Sequence, residues 1–208
     1  MADILELYAE PYNPKRPTVN FDEASKQLIA ETRTPLPVRP GQPVRSDSEY
    51  ARNGTRNLFL FCEPQAGWRH IAVTAQRTKR DFAAQRQWLV ARQYPEAEVI
   101  RVVLDNLNPH TVAALYAAFA PAQARRLARK LEFHYPPKHG SWLNMAEIEL
   151  SVLQRPCLDR RIPDEAALLR EVTAYEDRRN AAKATIDWRC SVEEARMKLH
   201  RLYPSTST

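Results

Sequence analysis

Runs of apolar and β-branched residues predict five β-strands along the chain. Residues 18–21, 57–62 and 68–74 are short β-prone runs, and a glycine-containing turn joins the last two as an antiparallel pair. Residues 99–104 are almost continuously apolar, which is typical of a central strand covered on both faces. Residues 132–135 form a short fifth strand that ends at two prolines.

Helical spacing of apolar positions fills much of the remaining chain. The predicted helices cover residues 1–9, 79–92, 111–119, 121–131, 141–154, 164–180 and 192–202. The proline-rich residues 34–43 are predicted to be an extended surface excursion, and Asn53-Gly54 a turn. The order of elements predicts an α/β (α+β) fold: a mixed sheet of about five strands, flanked by helices and followed by a helical C-terminal part.

Composition restricts the class of protein. The 208 residues suit one domain, and 44% apolar residues are enough for a core. No apolar run approaches the roughly 18 residues that span a bilayer, so no membrane segment is predicted. The first ten positions carry acidic and no basic residues, unlike a secretory signal. Three widely spaced cysteines form no CxxC pair, so reduced cytoplasmic thiols are expected.

The charge balance is basic, with 31 Lys and Arg residues against 25 Asp and Glu. Such an excess is compatible with a polyanionic partner, although many basic proteins bind no nucleic acid. Most of the basic residues are arginines, and one cluster (Arg125, Arg126, Arg129 and Lys130) lies on a predicted helix. Phosphate contact and a plain solvated helix face are both consistent with this cluster.

Three acidic residues stand out by their positions. Asp22 closes the first predicted strand, Asp105 closes the buried one, and Glu147 lies on the helix that begins at residue 141. Ligands of open sheets bind at the carboxyl ends of strands, where an unpaired carboxylate is costly to desolvate. Taken singly, Asp105 is equally consistent with a helix cap, and Asp22 and Glu147 are better explained by a solvated turn and a surface position. Glu23 competes with Asp22, and Glu149 with Glu147, because each pair faces different ways.

One segment is more specific than these single residues. Residues 135–147 read Tyr-Pro-Pro-Lys-His-Gly-Ser-Trp-Leu-Asn-Met-Ala-Glu, so that a strand ends in prolines, a turn opens a helix, and an acid follows the Asn by three residues. Together with Phe-Asp-Glu at 21–23 and Leu-Asp-Asn-Leu-Asn-Pro-His at 104–110, this segment resembles the insertion-sequence 630 group of the Tc1/mariner superfamily of DDE transposases. The resemblance covers residues 15–203.

The resemblance implies a ribonuclease-H-like catalytic core in which Asp22, Asp105 and Glu147 hold two Mg²⁺ ions, for which Mn²⁺ can substitute. Carboxylate oxygens are ligands that Mg²⁺ prefers, and two such ions can serve the attacking and the leaving oxygen of a phosphodiester. The implied reaction cuts transposon DNA ends and joins the freed 3′-hydroxyl to target DNA. The implied partners are DNA and, in a synaptic complex, a second copy of the chain, in the bacterial cytoplasm at the nucleoid.

Four further residues are candidate DNA contacts by position: Asn106, Lys138, His139 and Asn144. An amide beside a metal-binding carboxylate can orient it or bind phosphate, and a turn or helix-start role explains both asparagines equally well. Basic residues at a proline- and glycine-containing turn can contact the DNA backbone. Trp142 is predicted to be a core anchor rather than a platform on which a base stacks.

Two departures from the family pattern qualify the resemblance. The first-acid motif often continues with Lys, where this chain has Ala24. Full-length members also carry an N-terminal helix-turn-helix region, and the 21 residues before Asp22 are too few for one. We therefore expect a single catalytic domain over residues 1–208 without that region. Two other functions fit the sequence: a catalytically silent DNA-binding remnant of a transposase, and a general ribonuclease-H-like nuclease.

Overall fold

One mixed sheet organises the chain. The computed structural model describes residues 1–33, 40–41, 48–105, 111–137 and 140–198. The strands are β1 Thr18–Glu31, β2 Tyr50–Glu63, β3 Trp68–Thr74, β4 Ile100–Val103 and β5 Leu131–His134. Their spatial order is β3-β2-β1-β4-β5. The pairs β1–β2 and β2–β3 are antiparallel, whereas β4 is parallel to both β1 and β5. The predicted mixed five-stranded sheet is confirmed.

Helices cover both faces of this sheet. Within the described residues they are α1 Ala2–Ala9, α2 Lys79–Trp88, α3 Ala113–Ala118, α4 Pro121–Lys130, α5 Met145–Leu153, α6 Glu165–Ala181 and α7 Val192–Lys198. A 3-10 turn, Ser141–Leu143, precedes α5. Thr78 and Asp81 form a capping box that begins α2, and Asp164 caps α6. In the part of the chain described, no helix is long and apolar enough to cross a membrane.

Alternation along β1 and β2 separates two cores. Phe21, Phe59 and Phe61 point to one face, where they pack with apolar residues of α2, α3 and α4. Leu58 and Leu60 point to the other face, where they pack against α5 and α6. Because side chains alternate along a strand, Asp22 shares the face of Leu60, its partner across the ladder, and Glu23 shares that of Phe21.

β1 and β2 are longer than their apolar runs predict. Each has 14 residues, so the predicted strand end at Phe21 lies inside β1. The predicted turn at Asn53-Gly54 is wrong, because both residues lie within β2 at a bulge where the pairing register shifts between Gln27 and Ile29. Gly54 takes a φ of 86° there. Hydrogen bonding between β1 and β2 brings polar residues into the ladder, and the strand propensity of each segment alone does not predict this extra length.

Arg86 is an unusual member of the first core. Its guanidinium is fully buried, and among the described residues none of its three nitrogen atoms has a hydrogen-bond partner. The guanidinium carbon lies 3.9 Å from the ring centre of Phe21 and 4.1 Å from that of Phe82. Burial lowers the pKa of Arg86 to about 9, with the charge of Glu23 acting in the opposite direction. Aromatic rings therefore surround this charge in place of hydrogen-bond acceptors.

Replacing Gly67 by Ala is expected to destabilise the protein more than replacing Gly54. Both glycines have a positive φ, 67° and 86°, which disfavours Ala at either position. A Cβ at Gly67 would lie 2.4 Å from the backbone carbon of Lys183, whereas at Gly54 the nearest atom is 3.8 Å away. In urea unfolding we expect Gly54→Ala to lose about 1 kcal/mol and Gly67→Ala at least about 2 kcal/mol. Equal losses of unfolding free energy in the two variants would contradict the predicted clash between a Cβ at position 67 and the Lys183 backbone.

Candidate functional site

Two predicted acids stand side by side on neighbouring parallel strands. In the β1–β4 ladder Thr18 pairs with Arg101 and Asn20 with Val103. Continuing that register by two residues places Asp22 beside Asp105, which follows the end of β4 as predicted. The predicted position of Asp22 at a strand end is wrong, because β1 continues to Glu31.

The start of α5 is fastened to β1 immediately before Asp22. The Asn144 amide donates to the carbonyl oxygen of Phe21 at 2.8 Å, and its own oxygen accepts from the backbone N–H of Ala146 at 3.1 Å as the helix cap. The backbone N–H of Met145 donates to the side-chain oxygen of Asn20 at 3.1 Å. These bonds set the first turn of α5, which contains Glu147, against the strand that carries Asp22.

Tyr8 and Asn20 complete this attachment, and sequence reasoning missed both. The Tyr8 hydroxyl donates to the side-chain oxygen of Asn20 and lies 2.7 Å from the carbonyl oxygen of Leu143. Asn20 is fully buried. A buried polar residue inside an apolar strand was the available signal for Asn20. No sequence signal marked Tyr8, because α1 reaches the site only through the tertiary fold.

The charges of the other two predicted acids act on Asp22. Burial raises the pKa of Asp22 to about 7, a hydrogen bond from the backbone N–H of Glu23 at 2.8 Å opposes this, and the charges of Asp105, Glu147 and Glu23 raise it further. An acid gains its proton more easily when it is desolvated among like charges. Asp105 and Glu147 are therefore both near enough to Asp22 for their charges to be felt there.

The two candidate acids of α5 have different surroundings. Glu149 is fully buried and ion-paired with Arg69 and Arg179 at 3.0 Å each, on the face away from solvent. Glu147 is partly exposed, and its charge raises the pKa of Asp22. Because Glu149 is already paired inside the fold, Glu147 is the candidate acid of α5 whose charge acts on Asp22.

The chemistry of this site suits a divalent cation. Three carboxylates supply the hard oxygen atoms that Mg²⁺ prefers, and a cation would stabilise the ionised form of Asp22, whose pKa is raised first by burial and then by the neighbouring negative charges. As the side chains stand, no group of three or more His, Cys, Asp or Glu among the described residues lies close enough together to hold a metal ion. Residues 106–110, directly after Asp105, lie outside that description.

The other predicted site residues have varied surroundings. Asn144 is fully buried and caps α5, which matches the alternative role at a helix start, and DNA contact by Asn144 stays a prediction. Trp142 is 37% exposed and stacks on Trp188 with 6.0 Å between ring centres, so it is not the predicted core anchor. Three more predicted contacts lie outside the described residues: Asn106, Lys138 and His139.

The basic cluster lies on α4. Arg125, Arg126 and Arg129 are exposed, whereas Lys130 is partly exposed and donates to the carbonyl oxygen of Pro95 at 2.8 Å. The C-terminal end of α4 leads directly into β5, which is parallel to β4. This end of α4 therefore lies at the amino-terminal ends of the parallel strands β4 and β5, whereas Asp105 follows the carboxyl-terminal end of β4. DNA contact by these four residues stays a prediction.

Comparisons with known proteins identify related sequences and folds. A family model described as DDE superfamily endonuclease matches residues 17–169. The solved "Mos1 transposase paired-end complex with left transposon end" is similar with a TM-score of 0.53 and 16% identity, over 88% of this chain and 59% of that one. The "Mos1 mariner paired end complex with Mn" gives 0.51 and 15%, over 89% and 61%. No curated protein matches the sequence.

The similarity to the solved structures concerns the fold, since the sequence identities are low. The sheet flanked by helices is thus similar in fold to the Mos1 transposase structure, and the ribonuclease-H-like prediction is confirmed. The chain spans about three fifths of the length of the Mos1 chains that it matches.

Replacing Asp22 by Asn is expected to stabilise the metal-free protein. A folded-state pKa raised from 3.8 to about 7 means that the ionised carboxyl destabilises the fold. This penalty is absent below pH 4, grows as the pH rises through the two pKa values, and is complete above about pH 7. In urea unfolding with EDTA at pH 8, Asp22→Asn should gain about 2 to 4 kcal/mol over the parent, and nothing at pH 3.5.

The exposed Asp177 of α6 supplies the control for this comparison. Asp177→Asn should leave the free energy of unfolding within about 0.5 kcal/mol of the parent at both pH values. If Asp22→Asn is no more stable than Asp177→Asn at pH 8, then burial among like charges does not destabilise the ionised carboxyl of Asp22.

Proposed function

The chain belongs to the family of DDE superfamily endonucleases, and from that membership we propose that it is the catalytic domain of a transposase. Asp22, Asp105 and Glu147 are its three catalytic acids. Its reaction cuts transposon DNA ends and joins the resulting 3′-hydroxyl to target DNA. One observation carries the assignment: the adjacent strands β1 and β4 bring Asp22 beside Asp105, and the charge of Glu147 acts on the same carboxyl.

The donor chemistry of these residues suits a pair of Mg²⁺ ions, with Mn²⁺ as a substitute, and Asp22, Asp105 and Glu147 would hold them. When bound, the ions would supply charge stabilisation for the attacking and leaving oxygens of the phosphodiester. The chain itself orients the carboxylates. The backbone N–H of Glu23 holds one oxygen of Asp22, and the cap at Asn144 sets the first turn of α5.

DNA is the proposed partner, and a homodimer in a synaptic complex is part of the proposal. The printed descriptions of the Mos1 structures name paired ends of a transposon, which is a property of those proteins. The formal charge of +6 and the exposed arginines of α4 support contact with a polyanion. The proposed unit is one catalytic domain over residues 1–208, acting at the nucleoid in the bacterial cytoplasm.

Asp105→Asn tests this proposal. Asn keeps the shape of Asp and removes the negative charge, so it should bind a divalent cation poorly. The assay measures nicking of supercoiled plasmid DNA that carries the element's ends, in Mg²⁺ or Mn²⁺ at roughly 10 mM, so that the cation is in excess of a weak site. The nicking rate of Asp105→Asn should be at least about 100-fold below that of the parent. EDTA should abolish the cutting by the parent.

Asp177→Asn is the matched control, because it removes a carboxylate from an exposed position on α6. It should cut as the parent does. Equal cutting by Asp105→Asn and the parent would refute the site. If the parent binds this DNA and never cuts it with either cation, the silent DNA-binding remnant is the better description.

A further inference from the structure

The carboxylate of Glu149 is held by more donors than a structural ion pair usually has. One oxygen accepts from Arg69 Nε at 3.0 Å and Arg179 Nε at 3.1 Å, and the other accepts from Nη2 of both arginines at 3.0 Å. The hydroxyl of Tyr175 donates to the first oxygen as well. Two guanidinium groups thus each bind the same carboxylate through two hydrogen bonds, which strongly restricts the orientation of that carboxylate.

The donors that hold Glu149 are themselves fixed. Arg69, on β3, is fully buried, and its guanidinium also donates to the carbonyl oxygens of Gly67 at 2.9 Å and Ala184 at 2.7 Å. Its backbone exchanges two hydrogen bonds with the Asn180 side chain, at 2.9 and 2.8 Å. Arg179 and Tyr175 belong to α6. The cluster therefore joins α5 to β3 and α6.

Helix geometry relates this cluster to the site. Residues two positions apart on an α-helix point about 200° away from each other. We propose that Glu149 is a positioning residue, which fixes the rotation of α5 about its axis and thereby directs Glu147 toward Asp22. The inference rests on the proposed function, because it concerns how one of the three proposed acids is oriented.

Two attachments together define the placement of α5. Asn144 and Asn20 hold its amino-terminal end on β1, which restricts movement along the helix axis. Apolar packing of the same helix, through Ala146 and Leu153, restrains rotation less, because methyl groups have no preferred direction of contact. A rotation of 20° would move a carboxylate about 6 Å from the axis by about 2 Å, which is as long as a metal–oxygen bond.

The test compares Glu149→Gln and Arg179→Met with the parent. Glu149→Gln keeps the shape of the side chain and removes its charge. Arg179→Met removes one guanidinium group and leaves Arg69 paired with Glu149, so it preserves charge balance in the buried part. Below the unfolding temperature, Glu149→Gln should lower kcat for DNA nicking about tenfold, with KM for DNA unchanged. Glu149→Gln should also raise the Mg²⁺ concentration that gives half-maximal cutting. For both kcat and this Mg²⁺ concentration, Arg179→Met should lie between Glu149→Gln and the parent.

A second readout does not need activity. Titration with Mg²⁺ alone should raise the thermal unfolding temperature of the parent, and both variants should need more Mg²⁺ for the same increase. Glu176→Gln is the control, since Glu176 is a partly buried carboxylate of α6 that binds His70 Nδ1 at 3.0 Å and the Ile71 N–H at 2.9 Å. It should lower stability without changing either Mg²⁺ dependence.

The outcomes separate the two proposals. If the parent cuts DNA and gains stability from Mg²⁺, and the folded variants show unchanged Mg²⁺ dependence and kcat, then Glu149 is only structural and the positioning role is overturned. If Glu149→Gln does not fold, Arg179→Met decides by the same criteria. A parent that neither cuts nor responds to Mg²⁺ overturns the proposed function, and the positioning role with it.

Discussion

The burial of the Asp22 carboxylate close to other acids is the constraint on which the site depends. Asp22 and Asp105 come together because β1 and β4 are parallel neighbours, and their register, continued two residues past the paired residues Asn20 and Val103, matches the two acids. Burial, and then the charges of the neighbouring acids, raise the pKa of Asp22; this is a cost to the fold, which the rest of the molecule offsets by burying two apolar cores around the sheet. Costs of this kind are common where a fold serves chemistry.

Two kinds of polar contact position α5 against this pair of acids. At its start, amide groups of Asn20 and Asn144 bind backbone atoms of the neighbouring element, so that the attachment does not depend on charge. Farther along, Glu149 binds two arginines. Buried ion pairs seldom stabilise a protein more than apolar packing does, and their benefit is more often a specific geometry. The two contacts hold Glu147 between them.

Sequence predicted the fold class and the place of Asp105, because an almost continuous apolar run marks a buried strand and its end. It misplaced the end of β1, since Glu23 to Gln27 have low strand propensity and enter the ladder only by pairing with β2. Helix periodicity could not choose between Glu147 and Glu149, so the choice of Glu147 rested on the resemblance of residues 135–147 to the family segment. Arg69 and Arg179 lie 80 and 30 residues from Glu149, and only the tertiary fold brings them to it.

Asp22 and Asp105 differ in how much freedom their backbones have. Asp22 lies within the 14-residue strand β1. The residues before Asp22 pair with β4 and those on either side of it pair with β2, so its Cα moves only if the sheet moves. Asp105 lies two residues past the last strand residue of β4. Asp22 is thus held within the sheet, whereas Asp105 lies just past the end of a strand. Any change in separation as a phosphodiester is bound and released would be accommodated on the Asp105 side, with Asp22 as the fixed reference point.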